Sequence, residues 1–458
     1  MSDWTPLFKH TFSPQSEAPP PSAGVWFAVM HGIQSLRINC SIDAPPPLVE
    51  IILFGPNNEF RGRWDAAFQG WKVLDQQGAD DGFITGDIQS GQWRIELRHD
   101  DAALSELRAS VLVEGSTSAV HKMPELLIYQ PEDEEPDEDA PSSWMIGELY
   151  ETTTRSNGAM SVNQTLSAYQ NKDCGFVVLA DRNQPPLEKY AIDPGLSVIR
   201  GQSLQTPQGN ALLLGVRERI DWKDAEGEKP LASLIRETHI ADGLFCLAEP
   251  FAREHTPWLE DEEASALIDL LQIWPGQWEK RFAEIQKAMT CWDALLNQGF
   301  RIYGMAGKGP QGRADDEDAV RIPKTVAFTQ GPSETALLSA LKQGRFYSTV
   351  EPALSLWTES AHGGAMIGDE MRLPIGTPYL LYLSISQLEK GGYFTVRTNE
   401  GIYCQTPYST RKDTTFKLVG SAHSGWQWFR LEVYQFARPF DRLIAFSNPI
   451  FIRGIVSA

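Results

Sequence analysis

Five side chains of this 458-residue chain have the chemistry to act as acids and bases: Glu148, Tyr150, Glu151, Asp181 and Glu249. Two carboxylates at a suitable separation protonate a leaving group and activate a nucleophile, as in glycoside hydrolysis, and need no metal. Glu148, Tyr150, Asp181 and Glu249 are the catalytic candidates on this reading. Arg155, Arg182 and Lys308 stand in the same stretches. A guanidinium grips phosphate or carboxylate through its planar fork, so anion recognition is the competing chemistry. A structural salt-bridge cluster is the third reading of the same charges. Histidine offers little. Of eight, only His239 and His255 fall between residues 144 and 350. His239 sits on a helix over 230–240, facing solvent or packed at the helix end, and His255 sits on a surface loop. Two isolated imidazoles cannot build a multinuclear metal site. GMAGKGPQG is Gly-rich but lacks the Gly-Lys-Ser/Thr order of a phosphate loop.

The elements that must hold these residues are legible around them. Trp144–Leu149 is a short apolar run. Ser161–Gln170 has helical spacing, with Val162, Leu166 and Tyr169 on one face. Phe176–Ala180 is a compact apolar strand that ends in Asp181-Arg182-Asn183. Further strands are expected at 197–202, 210–216, 244–248, 270–274, 301–306 and 324–328. Helices are expected at 230–240, 262–269, 278–297 and 333–342. Repeated β-then-α order argues for a parallel barrel or sheet, which keeps its sites at the carboxyl ends of its strands.

The residues from Trp144 to Gln184 resemble the opening of the polymerase and histidinol phosphatase (PHP) superfamily of metal-dependent phosphoesterases, most closely its CehA/McbA-type branch. That branch opens with Gly-Asp-Leu-His-x-His-x-x-His-Ser-Asp-Gly and follows it with Thr-Asp-His-Asn. Here the frames read GELYETTTRSNG and ADRN, keeping Gly147, Leu149, Ser156, Gly158, Asp181 and Asn183. WDALLNQGFRIYGMAG and LLSALKQGRFYSTVEPALSL resemble later barrel stretches, and SNPIFI resembles the terminal strand. The resemblance implies a distorted (β/α)7 PHP-like barrel flanked by N- and C-terminal β-sandwich domains. It also implies that the metal ligands are gone. Tyr150, Thr152, Arg155 and Arg182 stand where the family has imidazoles. Gln202 and Gln272 replace acids, and Asn210 replaces a histidine. Glu249-Pro250 replaces His-Pro, and Gly307-Lys308-Gly309-Pro310-Gln311 replaces Gly-Ser-Asp-x-His. The frames therefore imply a pseudoenzyme without catalytic metal or other cofactor. Its expected partner is a small anionic ligand or a protein, the ligand held by Arg155, Asp181, Arg182, Asn183, Gln202, Asn210 and Lys308. A metal-independent hydrolase and a metal-dependent phosphoesterase are the alternatives.

Around the barrel, at 144–350, the chain reads as a β-sandwich at 1–129, an acidic linker at 130–143 and a second β-sandwich at 351–458. Residues 1–23, rich in Pro and Ser, read as a surface arm. Strands are expected at 24–30, 34–40, 48–54, 91–98 and 108–114, with Trp64, Phe68, Trp71 and Trp93 as core filling. Seven carboxylates fall within Glu132–Asp139, a run that repels itself and stays solvated. The last region carries short strands near 379–384, 393–399, 414–419, 428–434 and 443–446. A net charge of −20 argues against nucleic acid or an anionic membrane as partner. No run of about 18 apolar residues suggests a membrane span. Five scattered cysteines form no CxxC pair, and the first residues lack a leader pattern, so a reducing cytoplasm is the expected location.

Overall fold

The computed structural model describes residues 4–12, 22–42, 49–65, 70–76, 79–80, 82–84, 86–99, 109–120, 141–156, 158, 160–170, 174–183, 195–224, 227–253, 257–308, 322–386, 388, 390–409 and 414–456. The acidic run, His255, Phe68 and the Trp64 side chain lie outside the described residues. The chain forms two compact units. One comprises Met1–Ile128, Thr152–Val162 and Asp181–Gln184; the other comprises Tyr129–Glu151, Asn163–Ala180 and Pro185–Ala458. No helix among the described residues is long and apolar enough to cross a membrane.

The first unit contains two four-stranded antiparallel sheets. One runs Thr5–Phe12, Ala109–Ser116, Ser35–Ile42, Trp71–Asp75, and the other Ser22–Val29, Gly91–His99, Val49–Phe54, Phe60–Asp65. Alternation decides which face is buried: Val111 and Val113 point inward, as do Leu36 and Ile38, onto Phe27, Ile51, Leu53 and Trp93. The expected surface arm is corrected here. Thr5–Phe12 is a strand paired along Ala109–Ser116, because its backbone finds ladder partners there and Leu7 and Phe8 pack on the core. Arg37 lies over the rings of Trp4 and Trp71, at 4.5 and 4.2 Å from their centroids.

In the second unit nine strands follow one another across a sheet: Tyr303–Gly307, Leu270–Pro275, Leu244–Ala248, Asn210–Leu214, Ser197–Gln205, Phe176–Arg182, Ser142–Glu151, Lys324–Gln330 and Phe346–Thr349. The sheet is mixed, not wholly parallel. Phe176–Arg182 runs parallel to Ser142–Glu151, and Leu244–Ala248, Leu270–Pro275 and Tyr303–Gly307 run parallel to one another. Ser197–Gln205, Asn210–Leu214 and Leu244–Ala248 are antiparallel neighbours. For the first of these two pairs the reason is connection length. Residues 206–209 turn the chain straight back, whereas a parallel neighbour needs a crossover of a dozen residues or more. The edge strand Tyr303–Gly307 is tied across to two others by side chains: Ala306 N donates to Ser348 Oγ at 3.2 Å and Lys308 N to Glu148 Oε1 at 3.1 Å.

Helices cover this sheet with amphipathic faces. Leu231–Ile240 buries Leu231, Leu234, Ile235 and Thr238, the i, i+3, i+4, i+7 stripe. Glu334–Lys342 is started by Ser333, whose side chain accepts from Ala336 N. The helix expected at 262–269 stops at Ser265, capped at its start by Asp261. The longest helix, Trp278–Asn297, buries Trp278, Ile285, Met289 and Trp292.

The sheet does not break at residue 350. Phe346–Thr349 pairs with Arg442–Ser447, and the ladder continues through Gly425–Gln435, Gly392–Thr398 and Gly401–Tyr408. A separate four-stranded sheet, Gly363–Met366, Ala353–Ser360, Pro378–Ser386 and Thr414–Ser421, shares a core with it around Leu356, Leu381, Leu383, Phe394, Leu431 and Val433. Arg430, fully buried in Gly425–Gln435, donates to Asp293 of the long helix at 2.7 Å and pairs with Glu432 at 2.6 Å. Asp293 also accepts from Arg397 at 2.6 Å. Replacing Asp293 by Ala strips a buried cation of one of its two partners. Asp293→Ala is expected to lower unfolding stability by about 3 kcal/mol, read from urea titration, with a smaller loss for Asp293→Asn.

Candidate functional site

The sequence-derived candidates divide between the two units. In the first, Asp181 is held by four donors. Its oxygens accept from Thr153 N at 2.7 Å, Thr153 Oγ1 at 2.8 Å and Ser156 Oγ at 2.8 Å, and Arg155 Nη1 lies 3.6 Å away. The turn that presents these donors needs Gly158, since a Cβ there would sit 2.1 Å from Thr152 O. Arg182 and Asn183 gather on a residue that the sequence reading missed, Glu50. It accepts from Arg63 Nη2 at 2.7 Å and Asn183 Nδ2 at 2.9 Å, with Arg182 Nε at 3.9 Å. Burial alone would raise the Glu50 pKa. Arg63 and Arg182 outweigh it and hold the carboxyl below its usual range. Arg63, itself fully buried, also donates to the Arg182 carbonyl at 3.0 Å. A Glu and an Arg on alternating strands carry no sequence signal that marks them as partners.

In the second unit Glu148 and Glu151 meet because of a bulge. Val177 pairs with Glu148 and Leu179 with Glu151, so two residues of one strand, Leu149 and Tyr150, oppose one of the other, Val178. The extra residue shifts the alternation by one, which lets two side chains three apart converge. Glu148 Oε1 accepts from Lys308 N at 3.1 Å and Tyr150 N at 3.3 Å. Glu151 Oε2 accepts from Tyr169 Oη at 2.5 Å, and Lys308 Nζ lies 3.4 Å from it. Burial, then the neighbouring Glu151 charge, pushes Glu148 up to about 8. Burial and the same carboxylate push the Tyr169 phenol well above its ordinary value. Tyr150 is buried in this strand.

Glu148, Tyr169 and Lys308 line a cavity of about 490 Å³ together with Lys324, Thr349 and Glu351. Ile146, Ile322, Val326 and Val350 supply its apolar walls. Such a mixture, with a perturbed carboxyl at one wall, makes this cavity the candidate ligand site of the unit.

Glu249 and Asn210 belong to a separate polar cluster in the same unit. Glu249 pairs with Arg281 at 3.2 Å and is hydrogen-bonded by Asn210. Its N–H donates to Gln272 Oε1 at 3.0 Å. Burial keeps the Glu249 pKa above the usual carboxylate value in spite of Arg281. Gln202 is elsewhere, spent at both ends of its amide on the Ile220 backbone, at 2.8 Å each. His239 closes its helix against Asp269 at 2.8 Å. Among the described residues no group of three or more His, Cys, Asp or Glu is placed to hold a metal ion.

No family model matches the chain, and no curated protein matches it. Among solved structures it is similar to a two-domain protein from Bacteroides vulgatus containing a predicted PHP-like metal-dependent phosphoesterase. The two are 11% identical over 70% of this chain and 99% of that one, with a TM-score of 0.38. A family two carbohydrate esterase from Cellvibrio japonicus is 9% identical over 73% of this chain and 95% of that one, with a TM-score of 0.15. Overlaps this loose carry no inference to this chain.

The Glu148 environment has a measurable consequence. A carboxyl whose folded pKa exceeds its unfolded value favours the folded state below the unfolded pKa, and that contribution is lost as pH rises through the folded one. Between about pH 4.5 and 8 the chain should lose stability through Glu148. Urea unfolding at pH 5, 7 and 9 is expected to show a smaller loss in Glu148→Gln than in the wild type. Equal losses would contradict the assignment.

Proposed function

We propose that this chain is a PHP-like pseudoenzyme, a non-catalytic protein that recognises a small anionic ligand. The observation that carries the reading is the pairing of its candidate carboxylates with fixed side-chain cations. Asp181 has Arg155 at 3.6 Å, Glu151 has Lys308 at 3.4 Å and Glu249 has Arg281 at 3.2 Å. A divalent ion binds through lone pairs on imidazole or carboxylate, and a guanidinium or ammonium has none to give. To reach any of these three, the ion would have to displace a cation already neutralising the carboxylate. The donor set therefore does not fit the metals that the family resemblance implies. An anion fits the cavity of about 490 Å³ better. Lys324 brings a positive charge to its wall, the Lys308 ammonium being engaged with Glu151, and Glu148, neutral near pH 7, can donate a hydrogen bond.

Elemental analysis and calorimetry with manganese test the first half. The expected result is no stoichiometric metal and no heat, and an equivalent of manganese, iron or zinc would overturn it. Calorimetry with phosphate, nucleotides and sugar phosphates tests the second half. Binding is expected in the wild type and a loss of about tenfold or more in Lys324→Ala.

A specific observation favours a second reading. A carboxylic acid held neutral near pH 7 inside a cavity is what a general acid requires. Glu148 would then protonate a leaving group without metal. Any hydrolysis of a generic ester or glycoside should survive EDTA and fall by about a hundredfold in Glu148→Gln. Loss with EDTA would refute this second reading.

A further inference from the structure

A second concave surface of the larger unit has no part in that reading. It is an open basin of about 800 Å³ lined by Gly299, Arg301, Glu370, Arg372, Trp426 and Arg453. Three neighbouring strands build its floor. Arg372 in Glu370–Pro374 is directly opposite Arg453 in Ile450–Ile455, and Arg453 is directly opposite Trp426 in Gly425–Gln435. Two arginines facing each other across a ladder repel, a pairing that costs stability when nothing bridges it.

The rest of the basin is donor-rich as well. Arg301 lies over the rings of Trp426 and Phe451, at 5.2 and 4.9 Å from their centroids, which fixes the guanidinium plane. Glu370 is the one carboxylate of the lining. It pairs with Arg301, and it accepts from Arg372 Nε at 2.7 Å. It thereby orders two of the three cations and leaves the lining with net positive charge. Arg453 is exposed. The Trp426 indole N–H is buried and has no hydrogen-bond partner. An indole N–H and a guanidinium only donate. A surface with three guanidiniums and one already engaged acceptor lacks acceptors. On a chain of net charge −20 such a concentration of positive charge is also out of character.

We propose that this basin is an anion-binding site for a small molecule carrying a doubly charged oxyanion group, a phosphate monoester or a pair of neighbouring carboxylates. The group bridges Arg372 and Arg453, relieving their repulsion, and takes the edge of Arg301 into a forked contact. The bridging demands two charges or two forks at once, so singly charged anions bind weakly. The site is independent of the cavity beside Glu148, and neither proposal requires the other.

The test is calorimetry on the full chain with inorganic phosphate and with citrate, using chloride and acetate as singly charged controls. Phosphate or citrate is expected to bind at least tenfold more tightly than the controls. Arg453→Ala and Arg372→Ala are each expected to weaken binding about tenfold or more, and Arg453→Lys less. The titrations are run in the Lys324→Ala background, so that phosphate held at the other cavity does not enter the signal. A preference for phosphate over citrate assigns the group as a phosphate, and the reverse assigns it as a dicarboxylate. Absence of binding at millimolar phosphate and citrate would overturn the proposal. So would binding indifferent to both arginine substitutions when circular dichroism shows the variants folded.

Discussion

A carboxylate taken out of water must be answered by a positive group or a set of N–H and O–H donors, or it will not stay ionised. The protein meets this demand repeatedly. Glu50 is answered by Arg63 and Arg182, Asp181 by Arg155 and two hydroxyls, and Glu249 by Arg281. Asp293 and Glu432 are answered by Arg430. Where the answer is incomplete, at Glu148, the group accepts two backbone N–H bonds but shares its surroundings with Glu151, and its pKa rises to about 8. The same electrostatic rule thus yields closed structural pairs, a Glu249 whose burial Arg281 only partly offsets, and the strongly shifted Glu148.

Position decides which outcome a given carboxylate meets. Glu148 and Glu151 share one strand, yet among the described residues only Glu151 has a side-chain cation within 4 Å. The bulge between them turns both toward Lys308, and the single ammonium reaches Glu151 while the Lys308 backbone N–H reaches Glu148. One cation for two acids leaves a surplus of negative charge, which a proton on Glu148 removes. Apolar walls from Ile146, Ile322 and Val326 deepen the effect by keeping water scarce.

Part of this was legible beforehand. The helix face of Leu166 and Tyr169 followed from spacing, as did the buried strand over 176–180 and the alternating strands around Trp93. Asp181-Arg182-Asn183 announced polar chemistry at a strand end. Glu50 and Arg63 gave no such notice, because each is one polar residue in an alternating strand, and Arg182 and Asn183, which they also hold, lie more than a hundred positions away in the chain. The strand Thr5–Phe12 was hidden by the Pro- and Ser-rich residues that follow it, and only its partner Ala109–Ser116 makes it a strand.

Residue types settled the inventory: few histidines, arginines and glutamines near the carboxylates, and apolar stretches whose period distinguishes strand from helix. Those properties are local, so the chain alone determines them. Tertiary structure decided who faces whom. A one-residue bulge joined Glu148 to Glu151, and a short turn at 206–209 made an expected parallel sheet mixed. Strand register set Arg372 against Arg453. Each of these is a relation between segments far apart in sequence, and charge interactions depend on distance in space, which no local pattern encodes.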